Sequence, residues 1–568
     1  MAEDRKLRSS TRRAVILTIA WMFLLGVITL LLNLPWSPDY RPLVNDSGVY
    51  AYVGSAITHG QLPYRDAWEQ KPPIGFYLDA LAVLLLGQNP WAIWWLNLIW
   101  IVLSAIACFL ILKKMFGLPA GMIASLVFVL AVMNPEIFQG GNLMEIYGLL
   151  PQVIIIGAAY AFFLTRRDRW IFFAGLLTGL AFMTKQTTIA LGAASLLTIL
   201  VVTFLGREWK ALWVRVVTFT AGFVIPVGIA VVYWLAAGAF SPFFEAVFSN
   251  GITYVGEGAP FLWSIKHTFL SVFPGMFISK LYYVSAIAFL VYLIDNYKCF
   301  LEQVSSLRLK NTRSGDFGSP VEWTMLAVFI ALPIEIVFAS LGGRNFGHYF
   351  LTLIPAVTTG IGYIFWKAIL FLRHAQFRPI IFHALPGLIG ILLGLASLVW
   401  MISALTGEVP TRAQLTSFPD IFSRRFEMGD LLNYILTTTG PDDRVLVWHI
   451  HLEINFITDR RPPQRILFPA QLFIPTGGPE SRLAEFLDEM DANPPELIIV
   501  QQSSSIGLPF VNVPIDHMCP KGACIPEMAA ALKLPNTAIE LQKLRDYFLA
   551  HYSLDKQMDG WLIYRHDP

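Results

Sequence analysis

From residue 14 to about residue 405, apolar runs of membrane length alternate with short polar connections, and then the pattern stops. The runs lie at 14–34, 91–112, 119–133, 144–164, 171–184, 188–205, 212–236, 271–294, 321–341, 349–366 and 380–404. Since roughly 20 apolar residues cross a bilayer, they are read as about eleven spans. A further apolar stretch, 74–88, is short and reads as an interfacial or half-inserted helix. The pattern predicts a multi-span α-helical membrane protein with its membrane domain over 14–404. Residues 420–568 are mixed and charged. VLVWH (445–449), ELIIV (496–500) and WLIYR (561–565) read as strands, and 481–490 and 537–550 as helices. Strands alternating with helices predict a small α/β domain.

Charge orients this scheme. Residues 1–13 carry Arg5, Lys6, Arg8, Arg12 and Arg13, and later basic clusters fall on alternate connections. By the positive-inside rule the N-terminus is cytosolic, which puts the loop 35–73 and the C-terminal domain outside. The first run is too long for a signal-peptide core and is kept as an anchor. Short loops and the lack of a retention signal favour a bacterial cell membrane.

Composition agrees. Of 568 residues, 55% are hydrophobic and only 14% charged, with a mean hydropathy of +0.58. The 17 Trp and 42 Phe suit interfacial belts. A net charge of +2, with no basic patch and no phosphate-cradling glycine loop, argues against nucleic acid or ATP as a partner. Of the four cysteines, Cys519 and Cys524 are close enough in sequence to form either a disulfide, if outside the cytosol, or two separate thiols. His449, His451 and His517 show no metal-ligand spacing.

Candidate chemistry gathers in the polar interval Asn45 to Pro73. It carries Asp46, Asp66, Glu69 and Lys71 beside Pro72-Pro73. Charges at a hydrocarbon boundary are costly and mark function. Asp46 is either a general base or a helix N-cap. Lys71 is either a phosphate-binding cation or a lysine reaching for headgroups. Glu145, in QGGNLMEIYG, neutralises a lysine, orients an acceptor, touches a metal or simply stabilises a helix start. Lys185 and Arg344, cations at the outer ends of spans, join Lys71 as candidates for a donor phosphate. Asp66, Glu69, His348 and Tyr349 are candidates for acceptor binding or support, with a polar core contact as the plain alternative for the last two. Lys280 and Glu335 lie within spans and either pair or line a cavity.

DSGVY (46–50), G-x-x-P-Y-x-D (60–66) and WEQKPP (68–73) together resemble the first outer loop of the C-type (GT-C) glycosyltransferases. Within them the likeness is to the polyprenyl-phosphate-sugar branch, near the dolichyl-phosphate-mannose protein mannosyltransferases and the aminoarabinose transferase of lipid A. GLAFMTKQ (179–186) and HYFLTLIPA (348–356) resemble later segments, with His348 where arginine is commoner. The resemblance covers about residues 14–400. It implies the GT-C fold, Asp46 as base or acceptor-orienting group, and Lys71 as contact to the lipid phosphate. Glu145 matches a second acid that is more often Asp, and Lys71 matches the lysine of an E-x-K-P-P or E-K-P-P motif, with Gln70 separating it from Glu69 as a small departure. The implied partners are a polyprenyl-phosphate-linked sugar and a lipid, glycan or protein acceptor. A divalent metal is compatible with the family but not demanded by these residues.

The chemistry fits the inventory. A glycosyl phosphate has a good leaving group and needs no acid to protonate it, unlike a glycoside. One base and cations for the departing phosphate suffice, and a single displacement inverts the anomeric centre. The competing reading is a transporter or lipid flippase, which would show broken helices in corresponding halves; no such correspondence is visible. A third is a membrane scaffold whose C-terminal domain does the work.

Overall fold

The computed structural model describes residues 2–41, 43, 45–251, 261–306, 319–341, 346–374, 429–448, 450–467, 472, 479–501, 537–558 and 560–567. Arg344, the run at 380–404 and the pair Cys519 and Cys524 lie outside the described residues.

Among the described residues, the apolar part is mainly helical. It contains α1 (Ala2–Asn33), α2 (Asp46–Thr58), α3 (Ile74–Leu86), α4 (Pro90–Phe116), α5 (Leu118–Val132), α6 (Met144–Thr165), α7 (Arg169–Phe182), α8 (Ala190–Leu205), α9 (Trp209–Ala236), α10 (Phe277–Ser306), α11 (Pro320–Ser340) and α12 (Ile354–His374). Among the described residues, 8 helical segments are long and apolar enough to cross a membrane, and the protein is an integral membrane protein. The runs at 119–133 and 171–184 emerge as shorter apolar helices, α5 and α7, as does α3. The crossing-length count among the described residues is thus lower than the about eleven spans expected from a 20-residue rule.

The chain divides into two compact units, residues 1–35, 97–232 and 260–416 in one, and residues 36–96, 233–259 and 417–568 in the other. In the first unit, α7 and α9 approach backbone to backbone. A Cβ at Gly175 would stand 2.0 Å from the Phe219 carbonyl oxygen, and one at Gly179 would stand 2.4 Å from that of Phe223. Small residues four apart permit such crossings where lipid supplies no hydrophobic drive between helices. Arg215 is buried at the start of α9. Its charge is met by Asp168 at 3.4 Å and Glu208 at 2.8 Å, and its Nη1 donates to Thr203 Oγ1.

The second unit contains a small α/β module, with α13 (Asp430–Thr438), α14 (Glu453–Thr458), α15 (Pro479–Ala492) and α16 (Thr537–His551) around a four-stranded sheet. Its strands are β1 (Val445–Val447), β2 (Leu497–Gln501), β3 (Tyr552–Met558) and β4 (Trp561–His566), in the order β1-β2-β4-β3. β1 and β2 run parallel, and the other pairs are antiparallel. The alternation of β1 and β2 builds a core on each face. Leu446, Ile498 and Val500 pack with Trp448, Phe486 and Phe548. Val445, Val447, Leu497 and Ile499 pack with Leu431, Ile435 and Ile454. β3 has no counterpart in the sequence reading. It is an edge strand with one buried residue, Tyr552, and its polar run YSLDKQM carries no apolar alternation.

Glycine-to-leucine substitution at position 175 or 179 should separate α7 from α9 and destabilise the protein by about 1–3 kcal/mol or more. The check is a lowered thermal midpoint of the purified protein in detergent.

Candidate active site

The sequence-predicted residues fall into two groups, one in each unit. In the second unit, Asp46 begins α2. The cap position belongs to Asn45, whose φ of 52° is left-handed and whose side chain makes no capping bond. Asp46 is therefore a first-turn carboxylate rather than the N-cap, favoured there by the positive helix end. Tyr50, one turn on, donates its hydroxyl to Asp46 Oδ2 at 3.3 Å.

The loop after α2 is a tight, buried turn. Tyr64 is fully buried at φ 72°, a conformation that bulky side chains rarely adopt. Several contacts hold it there. Its N–H donates to the Ala67 carbonyl at 2.8 Å, and its hydroxyl to the Lys71 carbonyl at 2.9 Å. Its ring packs on Phe76, Trp234 and Phe243. The C-terminal module closes the turn from outside. Trp68 pairs as an isolated parallel bridge with Ile466, and its N–H donates to the Arg465 carbonyl at 2.8 Å. Arg482 lies 5.3 Å over the Trp68 ring and reaches Glu245 at 3.3 Å. Arg465 is clamped by Glu485, with Nη2 to Oε2 at 2.9 Å.

Within this frame Asp66 is engaged locally. Arg65 donates to it at 2.7 and 2.8 Å and the Leu62 N–H at 2.8 Å. The Arg65 bond chiefly holds its carboxyl below the usual range, against the opposing effect of partial burial. Glu69 behaves differently. Desolvation pushes its carboxyl up to about 7, opposed by the Lys71 charge and reinforced by that of Asp46. Asp46 and Lys71 thus both lie within electrostatic reach of one carboxyl group. The Gln70 N–H donates to Glu69 Oε1 at 2.9 Å.

In the first unit, Glu145 opens α6 after a turn in which Gln139, Gly140, Gly141 and Asn142 all have positive φ. Two glycines in a row make that run affordable, which accounts for the QGGN spelling. Glu145 is buried and forms an ion pair with buried Lys185. His348 Nε2 stands 3.9 Å from the same Glu145 oxygen, and its Nδ1 lies 2.9 Å from Gln139 Oε1. Lys185 Nζ sits 3.8 Å from the Tyr349 ring centroid. The structure therefore joins Glu145, Lys185, His348 and Tyr349, read from three separate stretches, into one buried cluster. Gln139 belongs to it and was missed; a lone glutamine beside glycines carries no signal of its own. Glu335 is fully buried and accepts from Gln152 Nε2 at 3.1 Å, whereas Lys280 is exposed. Among the described residues, no three of His, Cys, Asp or Glu come together as a metal's ligands.

The model of the family described as dolichyl-phosphate-mannose-protein mannosyltransferase matches residues 70–234. That segment is under a third of the chain. It contains Lys71, Glu145 and Lys185 and begins after Asp46. Over residues 70–234 the chain is similar to that family, in line with the resemblance read from the sequence; the motifs at 46–50 and 60–66 lie before the matched segment. No curated protein matches significantly in sequence. Among solved structures, ArnT from Cupriavidus metallidurans bound to undecaprenyl phosphate is similar at 14% identity and TM-score 0.49, over 97% of both chains. The oligosaccharyltransferase of Archaeoglobus fulgidus, in complex with Zn and sulfate, is similar at 14% identity and TM-score 0.45, over 86% of this chain and 68% of that one. Likeness of this order transfers no residue role.

Lys185→Met should strand a buried carboxylate and destabilise the protein by about 3–5 kcal/mol, with much of the loss recovered in Glu145→Gln/Lys185→Met. Thermal unfolding of the three proteins checks this. Glu69 gives a pH signature. Its native carboxyl binds a proton more tightly than an ordinary one of 4.5, so stability is lost as pH rises from there to about 7. Glu69→Gln should therefore raise the thermal midpoint at pH 8 and leave it unchanged below about pH 4.5. Equal midpoint differences at both pH values would show Glu69 to be an ordinary carboxylate.

Proposed function

We propose that the protein transfers a sugar from a polyprenyl phosphate to an acceptor on the outer face of a bacterial cell membrane, with inversion. Its N-terminus is cytosolic and its C-terminal module lies outside. What supports this reading is that the charges of Asp46 and Lys71 are both felt at Glu69, and that Tyr50 and Tyr64 hold the Asp46 carboxylate and the Lys71 backbone by hydrogen bonds. The donor class is supported by the description of the matching family, which names a dolichyl-phosphate sugar.

In this reading Asp46 takes the proton of the acceptor as it attacks the anomeric carbon. The Tyr50 hydroxyl orients the carboxylate. Lys71 holds the departing phosphate, and its backbone is fixed by the Tyr64 bond and by Pro72-Pro73. The polyprenyl phosphate leaves with the electron pair of the broken glycosidic C–O bond. Lys185 and Arg344 are further candidates for the donor phosphate. Asp66, Glu69, His348 and Tyr349 support the site or the acceptor.

The test is purified full-length protein given a panel of polyprenyl-phosphate sugars, with released polyprenyl phosphate as the readout. Asp46→Asn should lower turnover at least about a hundredfold at normal protein level. Lys71→Ala should raise the donor KM by about 10–100-fold, the worth of one hydrogen bond to a charged group. No release with any donor, or unchanged turnover in Asp46→Asn, would overturn the reading and favour a transporter.

A further inference from the structure

Gly48 lies in the first turn of α2, two residues beyond Asp46, and the C-terminal module covers it. A Cβ there would stand 2.6 Å from Glu453 Oε2, 2.9 Å from the Glu453 backbone nitrogen and 3.1 Å from Glu453 Cβ. No side chain fits without moving one of the two segments. The contact joins residues about 400 positions apart, and both partners are buried.

Glu453 is built into this position rather than resting there. It opens α14 and is 6% exposed. Oε1 pairs with His451 Nδ1 at 2.7 Å, and His451 Nε2 lies 3.2 Å from Gln501 Oε1 at the end of β2. The His451 ring packs edge-on against Trp561 of β4, 5.2 Å between centroids. The brace thus runs from the sheet through His451 to Glu453. Oε2, the atom nearest the Gly48 position, has no hydrogen-bond partner among the described residues. A buried carboxylate oxygen without a donor is costly, and the amino-terminal end of α2 is the nearby positive pole that offsets it.

We propose that Glu453 is a positioning residue for Asp46. Its side chain, braced by His451, seats against Gly48, fixes the first turn of α2 and so sets the direction in which Asp46 presents its carboxylate. The Gly of DSGVY is, on this account, the imprint of a residue in the C-terminal module. The inference rests on the reading that Asp46 acts in the reaction.

Single and double variants of the full-length protein test it, with kcat, donor KM and thermal midpoint all measured. Gly48→Ala and Glu453→Ala should each lower kcat about tenfold or more and change the donor KM less than about threefold, because a misaimed base slows chemistry without loosening the lipid. Glu453→Gln keeps the shape and should stay within about threefold of the parent. Gly48→Ala/Glu453→Ala should lose less than the product of the single losses, since the shortened side chain makes room for the new methyl. Losses that multiply, a Glu453→Ala enzyme with parental kcat, or a Glu453→Gln enzyme as slow as Glu453→Ala would overturn the proposal. If Gly48→Ala fails to fold, the Glu453→Ala and Glu453→Gln pair decides alone. Full turnover in Asp46→Asn would instead strike the functional reading, while coupling of positions 48 and 453 in the thermal midpoint would persist.

Discussion

A charge withdrawn from water must be met by another charge or by donors fixed in place, and this requirement shapes the main ion pairs among the described residues. Lys185 is met by Glu145, Arg215 by Asp168 and Glu208, Arg465 by Glu485, and Arg482 by Glu245. The Glu145–Lys185, Asp168–Arg215 and Glu245–Arg482 pairs each join stretches far apart in the chain. Helices in a lipid environment gain little from hydrophobic contact with one another, so such pairs and close glycine crossings set the registers. Glu69 sits at the other extreme, with burial outweighing the pull of Lys71.

The two polar groups have different characters. The Glu145 cluster is closed and self-neutralising, with His348 and Gln139 packed around a single ion pair. The loop group consists of Asp46, Glu69 and Lys71, each partly exposed. Its backbone is rigid nonetheless, because Tyr64 is held at a strained φ by two hydrogen bonds and three aromatic contacts. Strain of this kind persists only where the surroundings over-determine it.

What the sequence made legible follows from the range of the interaction. The helices are written in runs of about 20 apolar residues, and the strands β1, β2 and β4 in short β-branched clusters. The loop acids and lysine lie within 26 positions of one another and were visible as a group. The pairing of Lys185 with Glu145, 40 positions apart, was not, nor was that of Glu453 with Gly48. Spacing along the chain says nothing of which buried charge finds which partner. β3 stayed hidden because an edge strand facing water needs no apolar period.

The bridge between Trp68 and Ile466, with Arg465 reaching the Tyr64 carbonyl across 401 positions, bears on how the molecule is made. Loop closure over so long a stretch cannot begin until nearly the whole chain has left the ribosome. The early helices can enter the bilayer as they emerge, but the turn that carries Lys71 must wait, incomplete, for the last quarter of the protein. A nascent chain is therefore inserted long before that turn is closed, and a chain cut short of residue 465 leaves the turn without its partner segment.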